Sequence, residues 1–168
     1  MASTTQQFNT IEDFFIHQLE DIYDAEKRLT SALPKMRDSA HNSDLKTAFD
    51  EHLKETENQI ARLDKVFESI GKRPQRESCE AMKGLIKEGE EMIQSRGDES
   101  AHDAALIAAA QRVEHYEIAA YGTARSLADR LERREAVEQL EATLAEEKSA
   151  DDKLNAIAER QVNPEMAH

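Results

Sequence analysis

Leu106-Ile107-Ala108-Ala109-Ala110-Gln111-Arg112-Val113-Glu114-His115-Tyr116-Glu117-Ile118-Ala119-Ala120 is the stretch that decides the fold. At about 100° per residue, Leu106, Ala110, Val113, Glu117, Ala120 and Ala124 fall on one line, the signature of a helix with an apolar face. Glu117 sits in the middle of that face, and Glu114 lies one turn before it. The helix extends from about Glu99 to Leu131, with Ser95-Arg96-Gly97-Asp98 breaking the chain and capping its start.

Working outward, three more long segments carry the same periodicity. The first runs from about Thr10 to Pro34, capped by Thr10 with Glu12 and Asp13 in its first turn, and its stripe is Ile11, Phe15, Leu19, Ile22, Leu29 and Leu33. The second runs from Ser43 or Asp44 to Gly71, with Leu45, Phe49, Thr56, Ile60, Leu63, Phe67 and Ile70 in line, and Pro74 follows its end. The last runs from about Glu135 to Arg160 through Ala136, Leu140, Leu144, Leu154 and Ala158, and residues 161–168 read as a frayed tail. Between the second and third lies a shorter amphipathic helix, about Glu77 to Gln94, free to pack on its own chain or on a second subunit. Two hairpins joined by one long crossover predict an all-α, ferritin-like antiparallel four-helix bundle with an extra helix in that crossover. The prediction is a single domain over 1–168, with an ordered core of about 9–160.

Composition agrees. With only 5 Gly and 3 Pro in 168 residues, turn chemistry for many short strands is missing, and 34% charged residues suit long helices. A net charge of −13 repels nucleic acid and anionic membrane, so neither is an expected partner. The lone Cys79 excludes an intrachain disulfide, and no stretch has the length of a membrane span or the layout of a signal peptide, so the expected compartment is the cytoplasm.

Every stripe is interrupted near mid-helix by a polar group: Glu26 on the first helix, His52 on the second with Glu55 to its side, Glu117 on the third, and Glu147 on the fourth with Glu146 on its flank. A buried carboxylate must be protonated, paired or bound to metal, and no matching inward Lys or Arg is present. Glu114 with Glu117, and His52 with Glu55, each stand one turn apart and can face one ion. Carboxylates with an imidazole suit a dinuclear site of iron or manganese. Either Glu146 or Glu147 can supply the fourth helix's ligand. His17, His41 and His102 fall off the stripes and read as surface residues, and His115 points away from Glu117's line. Tyr23, one turn before Glu26, reads as packing, as a hydrogen-bond donor to the site, or as a radical sink.

The runs Phe15–Leu19, Ala25–Leu29, His52–Thr56 with Gln59, Asp103–Ala119 and Leu144–Lys148 together resemble the YciE/YciF family of bacterial ferritin-like stress proteins, the YciF branch above all, over about residues 9 to 158. The resemblance implies a rubrerythrin-like bundle, a homodimer, a role in stress responses, and a metal site of Glu26, Glu55, Glu114, Glu117 and one of Glu146 or Glu147, with His52 nearby. One departure stands out. The usual diiron pattern places a His three residues after a Glu on both the second and fourth helices, whereas here the order is His52 then Glu55, and Ala150 follows Glu147. That argues against standard ferroxidase chemistry. The expected function is therefore a stress-associated protein with a dinuclear iron or manganese site acting on peroxide or iron. The alternative is a non-enzymatic dimeric structural or interaction protein with a vestigial site.

Overall fold

The computed structural model describes residues 6–165, whose regular elements are all helices, with no strand among the described residues. The elements are α1 (Ile11–Ser39), α2 (Ser43–Ser69), α3 (Glu80–Ile93), α4 (Glu99–Arg130) and α5 (Arg134–Ile157), then a π-helical turn (Ala158–Val162) and the single turn α6 (Asn163–Glu165). No described helix is long and apolar enough to cross a membrane.

Local chemistry sets most of the ends. Thr10 and Asp13 close a capping box: the Thr10 hydroxyl accepts from the Asp13 N–H at 3.0 Å, and the Asp13 carboxylate accepts from the Thr10 N–H at 2.9 Å. The Asn42 and Asp98 side chains cap α2 and α4 by accepting backbone N–H groups of the first turn. At the end of α2, Gly71 adopts φ +69° while Lys72 N–H bonds back to the Phe67 carbonyl at 2.9 Å, a Schellman turn. The end of α4 repeats that turn without glycine: Glu132 takes φ +58°, and Arg133 N–H reaches the Ala128 carbonyl at 2.9 Å.

Three expectations change. The first helix does not stop at Pro34 but continues to Ser39, because Leu33, Met36 and Ala40 are buried beyond the proline and tertiary packing outweighs the missing N–H. Ile11 lies at the exposed start of that helix, outside the core. Residues 161–165 are docked rather than frayed: Val162 is buried, and Gln161 bonds Asn42 and Asp44 at the start of α2. The tail beyond residue 165, like residues 1–5, lies outside the described residues.

Around the molecule α1 packs on α2, α2 on α5, α5 on α4 and α4 on α1, while α3 lies across α1 and α4. The apolar residues form two cores. One joins the C-terminal half of α1 and the start of α2 to the first half of α4 and the end of α5, through Leu29, Phe49, Leu106 and Leu154. The other joins the opposite ends through Phe15, Phe67, Ala124 and Leu140. Neighbouring helices in the ring therefore run in opposite directions. Full burial of each large side chain contributes about 1.5–3 kcal/mol. Cys79 and Met82 of the crossover are fully buried within this chain, which answers where that segment packs.

Candidate metal centre

Between the two cores lies a polar layer at mid-helix. His52 from α2, Glu114 and Glu117 from α4 and Glu147 from α5 offer ligand atoms that all lie within 4.8 Å of one another, every one buried. His52 Nε2 stands 3.5 Å from Glu114 Oε1, 3.9 Å from Glu117 Oε2 and 4.0 Å from Glu147 Oε2. Its other nitrogen is 3.6 Å from Glu55 Oε2, at the more open side of the layer. These separations exceed hydrogen-bond length. Accordingly both His52 nitrogens, both Glu117 oxygens, Glu114 Oε2 and Glu147 Oε2 are buried without a hydrogen-bond partner.

Glu26, from α1, has no solvent exposure and completes the layer. Tyr121, one turn after Glu117, donates its hydroxyl to Glu26 Oε1 at 2.5 Å, leaving Glu26 Oε2 unpartnered. On α5 the two adjacent glutamates separate by environment. Glu147 faces inward and accepts from Gln59 Nε2, whereas Glu146 makes a bidentate pair with Arg62 at 2.5 and 2.6 Å. The Arg62 bond overcomes desolvation and holds the Glu146 carboxyl below its ordinary range.

Electrostatics follow from this crowding. Burial, then repulsion from Glu147, raises Glu26 to about 8. Burial also raises Glu114, Glu117 and Glu147. Burial alone would lower His52, but Glu114, Glu55, Glu147 and Glu26 together lift it to about 10. The cluster therefore holds on to its protons.

The donor set could hold a metal ion. His52, Glu114, Glu117 and Glu147 converge on one volume with orphaned polar atoms, and Glu26 beside them keeps one carboxylate oxygen unpartnered. A small pocket lined by Ala48, Ala150, Lys153 and Glu55 leads to His52 and Glu114 from the groove between α2 and α5. Ala150 lines it where the usual pattern would place a histidine.

Several features escaped the sequence. Tyr23 follows its packing reading, edge-on against Phe67 at 5.8 Å, whereas Tyr121 is the tyrosine that bonds the layer. Its position four residues after Glu117 was the available signal. Asp24 is a buried anchor: it accepts from Arg28, Arg76 and the Cys79 N–H, tying the crossover to α1. His102 is buried rather than on the surface, while His115 is exposed and contacts Asp151.

Fold and site define an all-helical protein with a buried histidine–carboxylate cluster. The chain belongs to the family described as domain of unknown function DUF892, whose model matches residues 10–167. It is 52% identical over 155 residues to Protein YciF of Escherichia coli strain K12, covering 92% of this chain and 93% of that one. It is similar to the crystal structure of the Escherichia coli stress protein YciF, with a TM-score of 0.90 at 51% identity over 93% of this chain and 99% of that one. YcfI from Rhodopseudomonas palustris matches with a TM-score of 0.88 at 46% identity, over 94% and 99%.

Proposed function

We propose that this protein is a stress-associated, ferritin-like four-helix bundle that binds two iron or manganese ions in its carboxylate layer and acts on peroxide or ferrous iron. The ring of helix contacts supports the bundle, and the name of the stress protein YciF supports the physiological setting. The observation that carries the reading is the convergence of Glu114, Glu117 and Glu147 carboxylates on His52, in a buried layer where these groups and Glu26 leave polar atoms unpartnered. When bound, such a metal pair supplies two electrons, the number needed to reduce one peroxide to two waters.

The chain's own residues do the rest. Glu26, Glu114, Glu117, Glu147 and His52 hold the ions, with Glu55 at the open side. Gln59 fixes Glu147 and Tyr121 fixes Glu26 by hydrogen bonds. The apolar cores on either side keep bulk water out. Glu146, neutralised by Arg62, stays outside this set. The working protein is a homodimer, as the family resemblance implies, placed in the cytoplasm by the sequence reading, and light scattering at twice the chain mass checks the dimer.

Anaerobic loading with ferrous or manganous ion, followed by addition of peroxide, tests the proposal. Stoichiometric binding with peroxide consumption is the expected result, and failure to retain metal overturns it. A second reading, a structural protein with a vestigial site, is favoured by one observation: Ala150 stands where a histidine ligand would complete the usual pattern. That reading expects proton-shared carboxylates and stability indifferent to chelators.

A further inference from the structure

At the end of the molecule remote from the α1 start, the turn between α1 and α2 meets the first turn of α4. His41, His102 and Asp103 there bring one ligand atom each within 4.8 Å of one another. The two imidazole rings meet edge to face with centroids 5.2 Å apart, and Glu99 Oε1 lies 3.7 Å from His41 Nδ1. No residue of this group belongs to the carboxylate layer.

His102 supplies the decisive detail. Its side chain is only 8% exposed. Nε2 lies 3.4 Å from the Ile93 carbonyl and 3.3 Å from the Ser39 hydroxyl. A carbonyl can only accept, so this contact assigns the hydrogen to Nε2 and leaves a lone pair on Nδ1. Nδ1 is buried with no hydrogen-bond partner, and it faces Asp103 Oδ1 at 3.8 Å, too far for a hydrogen bond even with a proton between them. An imidazole lone pair and a carboxylate oxygen thus point at shared space. Asp103 is held rigidly, accepting from the backbone N–H groups of His41 at 2.8 Å and Asn42 at 2.6 Å, and each of its oxygens keeps a second lone pair. An imidazole that donates its far N–H to a backbone carbonyl is the usual support of a metal-ligating histidine.

We propose that His41, His102 and Asp103 form a second metal site, selective for a nitrogen-preferring divalent ion such as zinc. Two imidazoles and one carboxylate suit zinc and cobalt(II), in contrast to the oxygen-rich central layer. Glu99 or water fills the fourth position. Bound metal clamps the α1–α2 turn to the start of α4. The site stands whether or not the central layer binds iron or manganese.

Zinc and cobalt(II) titrations of untagged full-length protein test it, in a Glu114→Gln/Glu117→Gln background that removes central ligands. The expected result is one ion per chain with cobalt d–d absorption, bound at least tenfold more weakly after His41→Ala. Because the His41 side chain is 44% exposed, that variant leaves the core intact. Zinc should also shift the ring resonances of both His41 and His102 in NMR spectra. Equal zinc affinity with and without His41, or unmoved ring resonances at saturation, overturns the proposal.

Discussion

Tyr121 and Glu26 form the bond on which the inner layer is oriented, and neither has a competing partner. Tyr121→Phe removes that donor while keeping the ring, and should cost metal-free protein about 1–3 kcal/mol in urea denaturation. It should also weaken metal retention, since Glu26 loses its fixed orientation. The protonation of the layer gives a second expectation. Glu26 is raised from 4.5 to about 8 and His52 from 6.5 to about 10, so the folded chain binds more protons than the unfolded one. Stability contributed by these groups is therefore present at low pH and is lost as pH rises, through 4.5–8 for Glu26 and 6.5–10 for His52. Calorimetry of chelator-treated protein between about pH 6 and 9 should show a falling melting temperature, which saturating metal counteracts because it displaces those protons. A melting temperature independent of pH in chelator would contradict the layer as drawn.

At the scale of elements, the turn between α4 and α5 holds a residue in the wrong conformational class. Glu132 adopts φ +58°, where a side chain is strained, yet its Schellman bonds are formed. Glu132→Gly should raise stability by about 0.5–1 kcal/mol without moving either helix, as read from the midpoint of denaturant unfolding. The crossover is fastened by Asp24, whose bonds to Arg28, the Cys79 N–H and Arg76 outweigh desolvation and lower its carboxyl below 3.8. A lowered carboxyl stabilises above its unfolded value, and that contribution fades as pH falls through 3.8 and below. Hydrogen exchange should then show α3 amides losing protection in acid before those of α4.

Across the whole molecule, the long helices were legible because periodicity is a local property: Leu106, Ala110, Val113 and Ala120 declare a face wherever the chain goes. Glu26, His52, Glu117 and Glu147 were legible for the same reason, as polar residues on apolar lines. What escaped depends on contacts between distant segments. Tyr121 finds Glu26 across 95 positions, and Asp24 finds the Cys79 amide across 55. Pro34 stops a helix locally but not against the buried Met36 and Ala40, and His102 looks superficial until Ser39, His41 and the Ile93 carbonyl close around it. The choice between Glu146 and Glu147 as ligand stayed open in the sequence because the Arg62 that draws Glu146 aside is on another helix.

Elemental analysis of protein purified from its native host, beside a Glu114→Gln/Glu117→Gln variant, bears most directly on the carboxylate layer as a metal centre. The expected result is about two iron or manganese ions per chain in the parent and their loss in the variant, with the metal-free variant more stable than the metal-free parent. Parent protein that carries neither metal, and whose melting temperature is unchanged by chelator, would contradict it.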